Sequence, residues 1–150
     1  MEKLNFSANI NAPKEKVWNA LWEDANYRNW TAAFYEGSYA QTDNWKVGTK
    51  VLFLGPDGSG GSGGMVSKVA ANRPNEFMSF EHLGVVKNGV EDTTSDKVKA
   101  WAGAMENYTL TEAGKKTMVA VELDIDAEYK DYFIKTWPVA LQRLKELAEK

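Results

Sequence analysis

Residues 3–22 read KLNFSANINAPKEKVWNALW and contain two hydrophobic periods in succession. Over residues 4–10, apolar and polar residues alternate, which is the period of two typical of a strand with one buried face. Pro13 has a fixed φ that suits the first position of a helix. Beyond it, apolar residues recur at helical spacing, at Val17, Trp18, Leu21 and Trp22. This stretch therefore predicts a strand that is followed at once by a short helix.

The chain beyond residue 23 predicts a second short helix and then a run of strands. Asp24 is expected to cap a helix that carries Tyr27 and Trp30. From residue 37 the pattern changes to short β-like runs separated by turn residues, approximately 37–42, 49–55, 64–72, 76–86, 104–112 and 116–126. The short connections predict an antiparallel meander, and no long helix interrupts it as a parallel sheet would require.

The last segment, from about residue 128 to 149, predicts the longest helix. Its apolar residues form one stripe, with Asp126 as the expected N-cap. Pro138 lies inside this pattern and lacks the backbone donor for the bond to residue 134. We therefore expect the helix to curve or break near residues 134–137.

Two connections differ from the rest. The run 58–64 contains only glycine and serine and predicts a mobile hairpin loop. It contains no Gly-Lys-Ser/Thr and no helix follows it in the pattern, so a phosphate site is not expected there. The polar stretch 87–100 is predicted to end in a short helix that is capped by Thr94 or Ser95.

Composition excludes several classes of function. A chain of 150 residues with 43% hydrophobic and 26% charged residues fits one globular domain. Its net charge of −3 argues against a nucleic-acid partner. The absence of cysteine and the single histidine exclude thiol chemistry and a multi-histidine zinc site within one chain. Neither a metal nor a cofactor is expected.

The pattern also argues against membrane insertion and export. Apolar runs reach only four residues, far short of a membrane-spanning helix. The N-terminal residues lack the apolar core of an export signal, so a cytoplasmic protein is expected.

The order of elements resembles that of the SRPBCC superfamily, also called START-like or Bet v 1-like, with its helix-grip fold. Within it, the chain most resembles small bacterial proteins of the group named for the activator of Hsp90 ATPase homologue. The segments that carry the resemblance are 10–21, Trp30, 45–48, 64–66, 73–76 and 137–145. These motifs are mainly structural, and they identify a fold better than an activity.

The resemblance implies an α+β helix-grip fold in which a seven-stranded curved antiparallel sheet wraps around the C-terminal helix. It also implies a cavity between the two that often receives an apolar small molecule. The function expected is therefore binding of a small hydrophobic or amphipathic ligand by a monomer or weak homodimer. Two alternatives stay open: an enzyme of the cyclase, dehydratase or hydrolase type using the same cavity, and a stress-related module that binds a chaperone, suggested by the family name alone.

Two polar residues are candidates for orienting a ligand. His82 shares strand parity with Met78 and Phe80, and Glu106 shares it with Tyr108 and Leu110, so both side chains can face inward. Each is either a proton-transfer group or a structural group with a satisfied hydrogen bond, and the structural role is favoured. Their strands are expected to be adjacent, which allows a cross-strand pair in a suitable register.

Aromatic residues complete the predicted binding site. The ligand-binding residues expected are His82, Glu106, Tyr108, Phe80, Tyr129, Phe133 and Trp137. Tyrosine hydroxyls, including that of Tyr132, are candidates for a polar contact, although core packing is the commoner role for aromatic residues. The sequence contains no known catalytic template, so no catalytic residue is assigned.

Overall fold

The computed structural model describes residues 1–56 and 61–150. It has an α+β architecture, as predicted. Its strands are β1 (Glu2–Ile10), β2 (Tyr39–Gln41), β3 (Lys50–Pro56), β4 (Ser62–Arg73), β5 (Phe77–Lys87), β6 (Val90–Asp92), β7 (Met105–Ala113) and β8 (Lys116–Ile125). Its helices are α1 (Lys14–Trp22), α2 (Asp24–Thr31), α3 (Asp96–Lys99) and α4 (Lys130–Glu149), the last preceded by a 3-10 turn (Ala127–Tyr129).

The strands form one antiparallel sheet in the order β1-β8-β7-β5-β4-β3-β2, with β6 paired to β5 beside this path. The predicted meander is confirmed, and β1 closes it by pairing along β8. The expected count of seven strands was one too low because it omitted β6. Asn88 and Gly89, both at positive φ, form the two-residue turn that joins β5 to β6, and Asn-Gly is a strong hairpin signal.

One face of the sheet, called here the inner face, is covered by α1, α2 and α4. Strand β8 directs Val119, Val121 and Leu123 into this core, where they are buried. Helix α4 contributes its apolar stripe from Trp137 to Ala148. Removing these side chains from water is the main source of stability for such a layered fold, at roughly 25 cal/mol per Å² of apolar surface.

The helix ends and the proline differ in part from expectation. Glu23, not Asp24, caps α2, because its carboxylate accepts from the amides of Ala25 and Asn26. Asp126, the expected N-cap of the last helix, caps the 3-10 turn before α4, and Tyr129 stands at the N-cap position of α4. Helix α4 continues through Pro138 without a break, so of the two expected outcomes the break is wrong and the curve stays a prediction. Pro138 cannot donate to the carbonyl of Ile134. Because Ile134 is exposed, water can replace the lost bond.

The loop at the glycine run is shorter than expected. Strand β4 already begins at Ser62, and Gly64 pairs with Leu54. A Cβ added to Gly64 would lie 1.8 Å from the Phe53 carbonyl oxygen, which explains the need for glycine there. The rest of the predicted mobile loop, residues 57–60, lies outside the described residues. The polar stretch ends in α3 with Ser95 as its cap, as predicted.

Candidate functional site

A β-bulge places two polar side chains opposite each other on the inner face. Val66 pairs with Gly84, whereas the next residue, Ser67, pairs with His82, so that Leu83 is an extra residue on β5. Such a bulge re-aims side chains relative to the regular pleat. It brings Ser67 and His82 into direct contact.

Four residues then form a continuous hydrogen-bonded group, called here the polar chain: Ser67, His82, Glu106 and Tyr108. The Oγ atom of Ser67 lies 2.6 Å from Nδ1 of His82. Nε2 of His82 lies 3.1 Å from Oε1 of Glu106, and the hydroxyl of Tyr108 donates to Oε2 of Glu106. The structure thus brings together the two residues for which the sequence left the register open. Glu106 faces Phe80 in the ladder, and His82 is its diagonal neighbour two residues further along.

The polar chain is largely removed from water. Ser67 is fully buried, and the side chains of His82 and Glu106 are 10% and 21% exposed. Burial by itself raises the pKa of Glu106. Hydrogen bonds from His82 and Tyr108 and the attraction to the imidazole outweigh this, and they hold that pKa below its ordinary value of 4.5.

The phenol groups nearby keep their protons. Burial first, and the Glu106 carboxylate second, raise the pKa of Tyr108 well above its ordinary value of 10.0. The same two causes raise the pKa of Tyr27. At neutral pH the centre of the site is therefore an ionised carboxylate that accepts from a protonated tyrosine.

Aromatic rings surround the polar chain. The aromatic cluster, as used below, comprises Trp22, Tyr27, Trp30, Phe53, Phe80, Tyr108 and Trp137. The ring of Tyr108 lies 4.9 Å from that of Trp22 and 6.1 Å from that of Trp137, between centroids. Phe80 lies 5.0 Å from Phe53. These contacts are ordinary packing distances for aromatic pairs, so the rings meet across the interior.

Beside the polar chain, where the open cavity is expected, these rings pack directly against one another. Two concavities formed by the described residues lie elsewhere. One, of about 450 Å³, is on the outer face of the sheet, where Asn5, Phe77, Asn107, Met118 and Glu122 are among its lining residues. The other, of about 210 Å³, lies between β1 and α4 and is lined in part by Phe6, Ala8, Pro138 and Leu141.

The remaining predicted site residues separate into two groups. Phe80 and Trp137 belong to the aromatic cluster and are buried. Phe133 is half-buried beside Phe34, 6.2 Å away between centroids, at the edge of that cluster. Tyr129 is 53% exposed in the 3-10 turn and does not join it.

Sequence reasoning missed Ser67, which follows the apolar Val66 on β4, because the bulge at Leu83 on the facing strand β5 could not be seen from the chain alone. The hydroxyl of Tyr132 donates to the backbone of Phe34 and thus has a structural partner.

The arrangement can hold and move a proton and can accept hydrogen bonds from a guest molecule. Ser67 has no accessible surface, so it positions the imidazole and does not meet a substrate. Within residues 1–56 and 61–150, no cluster of three or more acidic, histidine or cysteine side chains has the arrangement of a metal site. In the same part of the chain, no helix is both long and apolar enough to cross a bilayer.

A curved antiparallel sheet wrapped around a long C-terminal helix is the helix-grip fold of the SRPBCC superfamily. Residues 11–149 match the family described as Activator of Hsp90 ATPase homolog 1-like protein, and the chain belongs to this family. No curated protein sequence matches the chain.

Several solved structures share the fold. The Aha1 dimer from Colwellia psychrerythraea is 20% identical with a TM-score of 0.71, over 99% of this chain and 97% of that one. Protein CV1439 from Chromobacterium violaceum is 16% identical with a TM-score of 0.69, over 100% of this chain and 99% of that one. CalU16 from Micromonospora echinospora is 14% identical with a TM-score of 0.65, over 97% and 75%. At these identities the likeness establishes the fold alone.

Proposed function

We propose that this chain binds a small hydrophobic or amphipathic ligand between the sheet and α4, against Tyr108 and Glu106. The observation that carries the proposal is an ionised carboxylate held inside an aromatic cluster. Well-packed apolar residues often give as much stability as a buried ionic pair, or more, so stability alone does not account for this carboxylate. Ligand binding in a cavity is known for the AHSA1/SRPBCC fold and supports the proposal.

The carboxylate of Glu106 retains capacity for a guest. A carboxylate offers about four lone-pair positions, and His82 and Tyr108 each use one. A ligand hydroxyl or amine N–H can therefore donate to Glu106 without breaking the polar chain. The surrounding rings supply apolar contact area, which stabilises the complex by about 25 cal/mol per Å² before immobilisation costs.

The ligand reaches this place by moving aromatic side chains. Trp18 and Trp45 are half-buried, and their rings lie 6.1 Å and 5.4 Å from that of Trp22. Trp22 in turn contacts Tyr108. Movement of the outer two rings lets Trp22 shift, and the ligand then packs between Trp22 and Tyr108. Pockets of this kind belong to minor conformers that a ligand makes dominant.

A fluorescent probe tests this proposal. N-phenyl-1-naphthylamine is apolar, neutral and carries one N–H donor, so we expect saturable one-to-one binding with enhanced probe fluorescence. Glu106→Gln should weaken binding by roughly threefold to tenfold, since it replaces a charged acceptor with a neutral one.

The matched control is Glu122→Gln, because Glu122 lines the outer concavity and not the polar chain. It should leave the affinity unchanged. The proposal fails if the probe does not saturate, or if Glu122→Gln weakens binding while Glu106→Gln does not.

A further inference from the structure

Two indole groups of the core have no hydrogen-bond partner. Among the described residues, no acceptor meets Nε1 of Trp22 or Nε1 of Trp137, although both atoms are buried. Trp30 shows the usual situation, because its Nε1 donates to the Leu21 carbonyl oxygen at 3.1 Å. Leaving a buried donor unpaired costs about 1–3 kcal/mol, and such groups in a folded protein call for an explanation.

Both unpaired donors belong to rings that contact Tyr108. The ring of Trp22 contacts the ring of Tyr108, and so does the ring of Trp137. Tyr108 itself donates to Glu106. Both indole rings thus border Tyr108, beside which the proposed ligand packs.

We infer that Trp22 and Trp137 donate hydrogen bonds to acceptor oxygens of the ligand, which places the ligand among neutral aromatic carbonyl compounds. This inference rests on the proposed function. A carbonyl oxygen relieves the unpaired indole N–H groups, and a flat apolar ring system fits between aromatic side chains. A neutral ligand is selected because a buried anion beside the Glu106 carboxylate is repelled.

Two probes of equal shape isolate the acceptor. 2-Acetylnaphthalene carries a carbonyl oxygen, and 2-isopropenylnaphthalene replaces it with a methylene group. The ketone should bind roughly tenfold more tightly, the factor that corresponds to about 1.4 kcal/mol. The ¹H–¹⁵N spectrum of the intact protein provides the second readout, with the Trp22→Phe and Trp137→Phe variants assigning the two indole signals.

The ketone should move the indole proton signals of Trp22 and Trp137 downfield, and the hydrocarbon should not. The Trp30 indole is the internal control, since it already has an acceptor. Equal affinity for the two probes, or preference for the ketone with both indole signals unmoved, overturns the inference while the proposed function stands. If neither probe binds, the inference and the proposed function fall together.

Discussion

Glu81 and His82 are neighbours on β5, yet their side chains take part in polar pairs on opposite faces of the sheet. Glu81 lies on the outer face, 3.5 Å from Lys68, with the two side chains 31% and 45% exposed. His82 lies on the inner face, 3.1 Å from Glu106. The outer pair crosses from β5 to β4 and the inner pair from β5 to β7.

The difference between the pairs lies in their surroundings. Water and salt screen the outer pair, so its contribution to stability is small. The inner pair is surrounded by aromatic rings, where removing one partner leaves the other buried without compensation. A strand can thus carry a replaceable surface contact and a buried polar contact on consecutive residues. Variants on the two faces should therefore differ in their effect on stability.

The largest effect is expected from truncating the aromatic cluster. Phe80→Ala should lower the free energy of unfolding by about 3–5 kcal/mol, because it leaves a cavity beneath Trp22 and Phe53. Phe77→Ala, on the outer face, should cost about 1 kcal/mol, since Phe77 is only half-buried. Urea denaturation of the two variants measures both values. Similar costs would show that the inner face is not the main core.

The next effect concerns the two carboxylates. Glu106→Ala should destabilise the fold by about 3 kcal/mol, because His82 and Tyr108 lose their common acceptor. Glu81→Ala should cost less than about 1 kcal/mol, as for other exposed pairs. Denaturant midpoints at neutral pH test this. A cost for Glu81→Ala equal to that for Glu106→Ala would contradict the distinction between the faces.

Acid should reduce the difference in unfolding free energy between wild type and Glu106→Gln. The pKa of Glu106 is lower in the folded protein than its ordinary value of 4.5. Its contribution to stability is therefore present above that value and is lost as the pH falls through the folded pKa. The gap in unfolding free energy between wild type and Glu106→Gln should narrow from pH 6 to about pH 3. Parallel curves of stability against pH for the two proteins would contradict the lowered pKa of Glu106. Glu81→Gln serves as the control.

The smallest effect is expected for the outer pair. Lys68→Met should change the free energy of unfolding by less than about 1 kcal/mol, and added salt should reduce even that change. Thermal unfolding at low and high ionic strength provides the measurement. A large loss of unfolding free energy that does not depend on salt would mean that the outer pair contributes as much to stability as the inner pair.

Most of the fold could be predicted from periodicity, because alternation marks the strands and helical spacing marks α1 and α4. Strand β6 was missed since its Asn-Gly turn lies inside a polar stretch. Parity placed His82 and Glu106 on the inner face, but their contact depends on a diagonal register that no local pattern encodes. The contact of Ser67 with His82 depends on a bulge, and the contacts among the aromatic rings depend on ring volumes, which are properties of the packed tertiary structure.

The central claim is that a ligand enters the aromatic cluster beside Glu106. Intermolecular NOE contacts between N-phenyl-1-naphthylamine and the isotope-labelled protein test it most directly. We predict contacts from the probe to the ring protons of Tyr108 and Trp22. Contacts confined to Phe77 and Met118 would place the probe in the outer concavity and would contradict the account.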